Sequence, residues 1–263
     1  MTNESKTLFI PLYGKALMSK EGFFYDLVAE RIVEHEKENL KDVDQSRKLA
    51  IYMAMRAMQF DEIAEDFIRK NTFNIIINLG CGLDCRVGRV TSYHKWYDLD
   101  FPDVIELRKK YITDGKFNKT ISSSVTDLSW LDEIEYKNEN VLVLAEGLSM
   151  YLSETDMKNL IEQFSKRFNK TLFVFDAYSV FSAKMSKYKN PINAVNAKID
   201  FAMDDPTIFE NNNTKCVINN DIILRKYVNH LKGIDKLRFK FMGSAGKNMY
   251  RIYGYEINKA ATE

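Results

Sequence analysis

Asn74-Ile75-Ile76-Ile77-Asn78-Leu79-Gly80-Cys81-Gly82-Leu83-Asp84-Cys85-Arg86 is the stretch on which the fold turns. Ile75, Ile76, Ile77 and Leu79 run almost without interruption, as in a strand buried on both faces. Gly80 and Gly82 follow at once, where a tight turn lets the backbone approach a ligand and a helix is expected just beyond. Downstream, the rhythm repeats. Lys95–Asp100 reads as a short second strand ending before Pro102, with a helix from about 103 to 113. A weak third strand lies near Thr120–Ser123, and Val141–Ala145 is a fourth. A helix from about Ser153 to Phe168 opens on the capping start Ser153-Glu-Thr-Asp156, and Thr171–Phe175 is a fifth strand. Strands alternating with helices at this spacing predict an α/β fold with a parallel, right-handedly crossed sheet of the Rossmann-like kind.

Upstream, residues of about 18 to 70 read as helices. Phe24, Leu27, Val28 and Ile32 recur at helical spacing, and Ile51, Met55, Met58, Ile63 and Phe67 share one face of Ala50–Ile68. After Asp176 the pattern changes. Residues 177–235 are polar and Asn-rich and read as a helical lid. Leu237–Phe241 and Met249–Ile257 read as a closing antiparallel edge hairpin around Gly243 and Gly246. The chain thus divides into a helical cap (1–72), a cofactor-binding core (73–176), a lid (177–235) and an edge hairpin (236–263), all within one domain.

At 263 residues and 30.7 kDa a single domain is the expectation. With 38 basic against 37 acidic side chains, no net field collects nucleic acid or an anionic membrane. No apolar run approaches the roughly 18 residues of a membrane span, and Met1-Thr-Asn-Glu-Ser-Lys6 does not resemble a secretory leader, so a soluble, cytoplasmic protein is expected. Cys81, Cys85 and Cys216 read as reduced, small apolar residues, because no further Cys/His pair completes a zinc site near the first two. The three histidines, His35, His94 and His230, have no catalytic neighbours in sequence, so no metal and no histidine-centred chemistry is expected.

The glycine turn distinguishes ligand classes. A dinucleotide binder would carry a third glycine at position 85; here that position is Cys85, and Asp84 places a negative charge where a phosphate would sit. Asp100 follows Gly80 by 20 residues at the end of the second strand, where a carboxylate accepts hydrogen bonds from ribose hydroxyls. A nucleoside without phosphates fits, and S-adenosylmethionine is one. Asp127-Leu128 and Glu146 stand after the third and fourth strands, bordering the same crevice. Each of Asp98, Asp100 and Asp127 taken alone reads equally well as turn chemistry or helix capping. A nicotinamide-dependent oxidoreductase, which would share the strand-turn-helix start, lacks its third glycine here. A non-catalytic cofactor-binding protein on the same fold stays open.

Three segments, Asn78–Arg86, Asp98-Leu-Asp-Phe-Pro102 and Ala145-Glu-Gly-Leu-Ser-Met-Tyr-Leu152, resemble in order and spacing the signature segments of the leucine carboxyl methyltransferase family, which includes polyketide O-methyltransferases of the tetracenomycin type. Tyr13-Gly-Lys15-Ala16 and the stretch from Met55-Arg56 to Ile68-Arg69 are similar to the family's upstream elements. The resemblance covers about residues 10 to 180. It implies a seven-stranded methyltransferase sheet with S-adenosylmethionine as cofactor. It places Gly80, Cys81 and Gly82 under the methionine part, Asp98 and Asp100 toward the ribose, and Asp127 and Leu128 around the adenine. Glu146 would face the amino end, and Lys15 and Arg56 the cofactor carboxylate. Tyr151 would orient the acceptor. Two departures matter. Cys85 replaces a usual threonine, and Ser129 replaces the arginine with which protein-methylating members grip a peptide carboxylate, which turns the expectation from a protein C-terminus toward a small carboxylic acid. A carboxylate needs no general base, in keeping with the scarcity of histidine; a hydroxyl acceptor would need one.

Overall fold

In the computed structural model, which describes residues 7–41, 46–186 and 199–260, a seven-stranded sheet is ordered β3-β2-β1-β4-β5-β7-β6. Its strands are β1 (Asn74–Leu79), β2 (Lys95–Asp100), β3 (Asn118–Ser122), β4 (Asn140–Ala145), β5 (Lys170–Tyr178), β6 (Thr214–Asp221) and β7 (Tyr250–Asn258). The first five are parallel, and β7 runs antiparallel between β5 and β6. Strand order reverses between β1 and β4, so the crevice beyond their carboxyl ends is the natural ligand position.

Nine α-helices among the described residues flank the sheet: α1 (Phe9–Lys20), α2 (Leu27–His35), α3 (Arg47–Lys70), α4 (Arg86–Arg89), α5 (Pro102–Arg108), α6 (Glu154–Arg167), α7 (Val180–Ser186), α8 (Arg225–His230) and α9 (Gly233–Ala245). The unbroken apolar run of β1 is explained by burial on both sides. Ile75 and Ile77 pack in the layer that contains Met157, Leu160 and Phe164 of α6, whereas Ile76 packs with Ile51, Met55 and Phe60 of α3. The α6 start is a capping box: Ser153 accepts from the Asp156 N–H, and the Asp156 carboxylate accepts from the Ser153 N–H. The N-terminal helices begin earlier than the periodicity suggested, because α1 starts at Phe9.

Two sequence expectations are corrected. The helix after the glycine turn is a single turn, Arg86–Arg89, and Cys85 gives it no side-chain cap. The antiparallel pair exists, but its outer strand is Thr214–Asp221, inside the stretch read as lid. Leu237–Phe241 belongs to the helix α9 instead. The alternation of Leu237, Phe239 and Phe241 suggested a strand, yet only Phe239 is buried; Leu237 and Phe241 face outward. The true edge strand is disguised by a register shift between Cys216 and Ile218 and by Asn219 and Asn220. Of the expected lid, residues 187–198 lie outside the described residues.

Candidate functional site

A cavity of about 420 Å³ opens at the carboxyl ends of the parallel strands. Gly80–Asp84 after β1, Asp100 ending β2, Ser123–Thr126 after β3, Glu146–Leu148 after β4 and Tyr178 ending β5 form its wall. α1 and α3 close it with Lys15, Met53 and Arg56.

The turn after β1 requires glycine twice. Gly80 and Gly82 have φ of +63° and +50°, a region that side chains with a Cβ avoid. The turn is tied to the neighbouring strand: the Cys81 N–H donates to Leu99 O at 3.0 Å, and the Gly82 N–H donates to Asp100 Oδ2 at 2.7 Å. The Phe101 N–H donates to the other Asp100 oxygen at 2.7 Å. Despite these bonds, burial pushes the Asp100 carboxyl up to about 6. Each Asp100 oxygen thus already accepts one backbone N–H, and the half-buried carboxylate keeps further lone pairs on the cavity wall.

The same cavity is bordered by a connected ion-pair network. Lys15 Nζ reaches Asp84 at 2.5 Å, and Arg86 and Arg89 approach Asp84 at 2.8 and 3.1 Å. Burial alone would raise the Asp84 carboxyl, but Arg86, Lys15 and Arg89 hold it well below the usual range. Glu146 lies between Arg86 and Arg56, 3.0 Å from Arg56 Nε. Burial works against its ionisation, yet the two guanidinium groups keep the carboxyl below its ordinary value. Arg56 Nη1 also contacts Asp176 at 3.3 Å and donates to the Tyr250 hydroxyl at 2.9 Å. Tyr250 in turn donates to Asp176, and the Gly147 N–H donates to Asp176 Oδ1 at 2.6 Å. Asp176 is fully buried, and that burial pushes its carboxyl up.

Of the residues singled out from sequence, Lys15, Arg56, Gly80, Cys81, Gly82, Asp100, Glu146 and Tyr151 meet on this one cavity. Three do not line it. Asp98 is buried within β2 and occupied by Arg108 at 2.7 Å, Asn78 Nδ2 at 2.8 Å and Trp96 Nε1 at 3.0 Å. Its place is structural, because a carboxylate two residues inside the strand is closed over by α5. Asp127 caps the 3₁₀ turn Leu128–Glu133 by accepting from the Ser129 N–H and hydroxyl, next to the cavity-lining Thr126. Leu128 packs against the hydrophobic core. Two members were missed. Arg86 lies inside the quoted glycine segment, but its partners Asp61 and Glu146 come from distant chain positions. Asp176 lies two residues inside β5, within a run of buried apolar residues, so the strand-end rule that singled out Asp100 does not reach it. Cys81 and Cys85 are buried free thiols, pushed well up and to about 12 by burial; Cys81 lines the cavity, and Cys85 donates to Asp26 Oδ1 at 2.7 Å.

Comparison with known proteins agrees with this architecture. Residues 2–165 match the family model for leucine carboxyl methyltransferase. The tetracenomycin polyketide synthesis O-methyltransferase TcmP of Streptomyces glaucescens is 28% identical over 214 residues, covering 80% of this chain and 79% of that protein. The S-adenosyl-L-methionine-dependent methyltransferase dpfgK of Gibberella zeae is 26% identical over 235 residues, covering 80% and 78%. Among solved structures, the plantazolicin methyltransferase BpumL, in complex with a triazolic desmethylPZN analog and SAH, shares the fold with a TM-score of 0.52 at 11% identity, covering 99% of this chain and 100% of that one. The family match spans more than half of the sequence: the chain belongs to the leucine carboxyl methyltransferase family and is an S-adenosylmethionine-dependent methyltransferase.

Proposed function

We propose that the cavity holds S-adenosylmethionine across the β1–β4 crevice and that the enzyme methylates the carboxylate of a small organic acid, giving a methyl ester. The observation that carries the cofactor placement is Asp100, buried enough to sit near 6 and aimed beside the bare Gly80–Gly82 backbone. Two ribose hydroxyls would donate to its remaining lone pairs. The same cavity offers both signs of charge, Lys15 and Arg56 against Asp84 and Glu146, which suits a zwitterionic amino-acid tail and repels a phosphate. Gly80, Cys81 and Gly82 would pass beneath that tail. Thr126 would frame the adenine, with Asp127 and Leu128 shaping the turn behind it.

When bound, S-adenosylmethionine supplies a methyl group on a sulfonium, open to in-line attack. The chain's part is to align the acceptor and keep water out, and orientation of this kind supplies about 7–11 kcal/mol in favourable cases. Leu8, Ile10, Leu49, Met53, Leu148 and Met150 give the apolar wall. Tyr151 is pushed up to about 12 by burial, so its hydroxyl is a neutral donor at ordinary pH, suited to orient an acceptor carboxylate and unsuited to act as a base. Ser129 donates its hydroxyl to Asp127 and offers a peptide terminus no cation. These features favour a small acid over a hydroxyl or a protein C-terminus.

Product analysis tests this reading. Methyl transferred from labelled cofactor should be released as methanol by mild alkali; a base-stable ether or N-methyl product would refute the ester while leaving the methyltransferase intact. The pH–rate profile should stay flat from neutral to mildly alkaline pH, since an acceptor acid of pKa near 4 is already ionised and Tyr151 does not titrate there. A steady rise with pH would point to a hydroxyl acceptor and a base. Tyr151→Phe should lower kcat/KM by about 5–10-fold, the scale of one lost hydrogen bond, without moving cofactor affinity. An unchanged kcat/KM would reduce Tyr151 to an ordinary wall residue.

A further inference from the structure

α9 leaves an apolar ridge that the fold does not use. Ile234, Leu237 and Phe241 are 72, 70 and 73% exposed, whereas Phe239 on the opposite face is fully buried against the core. At about 100° per residue these three side chains fall within an arc of about 60°. Three large side chains so exposed on one stripe mark an interaction surface.

The charges around the ridge indicate its partner. On the same helical advance, Arg238 falls about 40° beyond one edge of the ridge and Lys240 about 60° beyond the other, both exposed; exposed Lys236 lies about 40° further round, where its Nζ donates to Asn229 O at 3.1 Å. From Lys232 to Lys247 the segment carries five cations and one carboxylate, Asp235. Asp235 is turned inward and shared between Arg47 at 2.6 Å and Arg238 at 3.9 Å, so it offsets part of the charge of Arg238 and leaves the lysines unneutralised by it. The near-neutral total of the chain therefore hides a local positive strip. A second copy meeting this face would bring like charges together, which opposes self-pairing. An apolar ridge flanked by cations is the arrangement of a helix that lies in a membrane interface, apolar side down and cations toward lipid phosphates. No helix among the described residues is long and apolar enough to cross a membrane, so the contact would be peripheral.

We infer that α9 docks the enzyme reversibly on an anionic lipid bilayer, with Ile234, Leu237 and Phe241 entering the headgroup boundary and Lys236, Arg238 and Lys240 contacting anionic headgroups.

The test uses the full chain with phosphatidylcholine vesicles, with and without phosphatidylglycerol, in a sedimentation assay. Each cation near an anionic surface contributes about fivefold, so partitioning should be at least tenfold stronger on the anionic vesicles and weaken at about 0.5 M salt. A Phe241→Trp variant gives a direct readout, because the two native tryptophans, Trp96 and Trp130, are buried. Its emission should shift to the blue with anionic vesicles and not with phosphatidylcholine alone. Leu237→Ser with Phe241→Ser, and separately Lys236→Glu with Lys240→Glu, should each reduce binding at least tenfold while the thermal melt stays as in the parent. Equal partitioning on both vesicle types, an unshifted emission, or binding unaffected by either pair of substitutions would overturn the proposal. So would a concentration-dependent dimer dissociated by the same substitutions, or tighter saturable binding of polyglutamate than of anionic vesicles.

Discussion

Arg56→Met should destabilise the protein by about 3–5 kcal/mol and abolish measurable binding of S-adenosylhomocysteine. The first effect follows from what the guanidinium holds: Glu146, Asp176 and the Tyr250 hydroxyl all converge on it in a buried setting. Removing one member of a buried ionic cluster leaves its partners charged and uncompensated, and the cost is of this order. The second follows because Arg56 also lines the cavity and fixes the Glu146–Gly147 turn through Asp176. The pH dependence has a definite sign. Burial already raises the Asp176 carboxyl, and loss of Arg56 raises it further, so the folded value lies above the unfolded one. Such a group favours the fold only while protonated, and that contribution is lost as pH rises through the folded value. The deficit should therefore be largest at neutral and alkaline pH and shrink on acidification. Denaturant titrations at two pH values measure it. A variant as stable as the parent would show that Arg56 is a peripheral cation.

The sequence made much of this legible, and its failures have physical causes. β1 and β4 announced themselves because strands buried on both faces need unbroken apolar runs. The α6 start was readable because its capping box is local. β6 was not readable, since its register shift and two asparagines erase alternation, and α9 was misread because Leu237, Phe239 and Phe241 alternate by chance on a helix whose outer face is itself apolar. In the site, acids that end strands were recognisable by position. The clustering of Arg86 with Asp61 and Glu146, across 25 and 60 residues, depends on tertiary folding and has no local signature.

Asp98 and Asp100, two residues apart on β2, should respond differently. Asp98→Ala strands the Arg108 guanidinium, which is buried and also donates to Gly82 O at 3.0 Å and Asp84 O at 2.5 Å to hold the glycine turn. A loss of about 3–5 kcal/mol in stability is expected, with the cofactor turn loosened as a consequence. Asp100→Asn should leave the free protein close to the parent in stability. The folded carboxyl near 6 lies above its value of 3.8 in a model compound, so its contribution to stability is present below the unfolded value and has been lost once pH exceeds about 6. A neutral amide removes that penalty but keeps only one acceptor oxygen, so either the Gly82 or the Phe101 N–H loses its partner. The loss of that hydrogen bond, about 0.5–1.5 kcal/mol, offsets the relief, so above pH 6 the free variant should stay within about 1 kcal/mol of the parent. Its cofactor affinity should nevertheless fall by about 1–3 kcal/mol, because ribose hydroxyls lose a charged acceptor. Thermal melts with and without cofactor separate the two terms. Equal destabilisation by both substitutions would erase the distinction between a structural and a ligand-facing acid on this strand.

The most direct test of the proposed site is calorimetric titration of the parent protein and Asp100→Asn with S-adenosylhomocysteine, with NAD as a control ligand. The proposed placement predicts one S-adenosylhomocysteine bound per chain, no heat from NAD, and an affinity in the folded variant lower by a factor of about 5 to 150, equivalent to about 1–3 kcal/mol. Unchanged affinity in that folded variant, or saturable binding of NAD in place of S-adenosylhomocysteine, would contradict it.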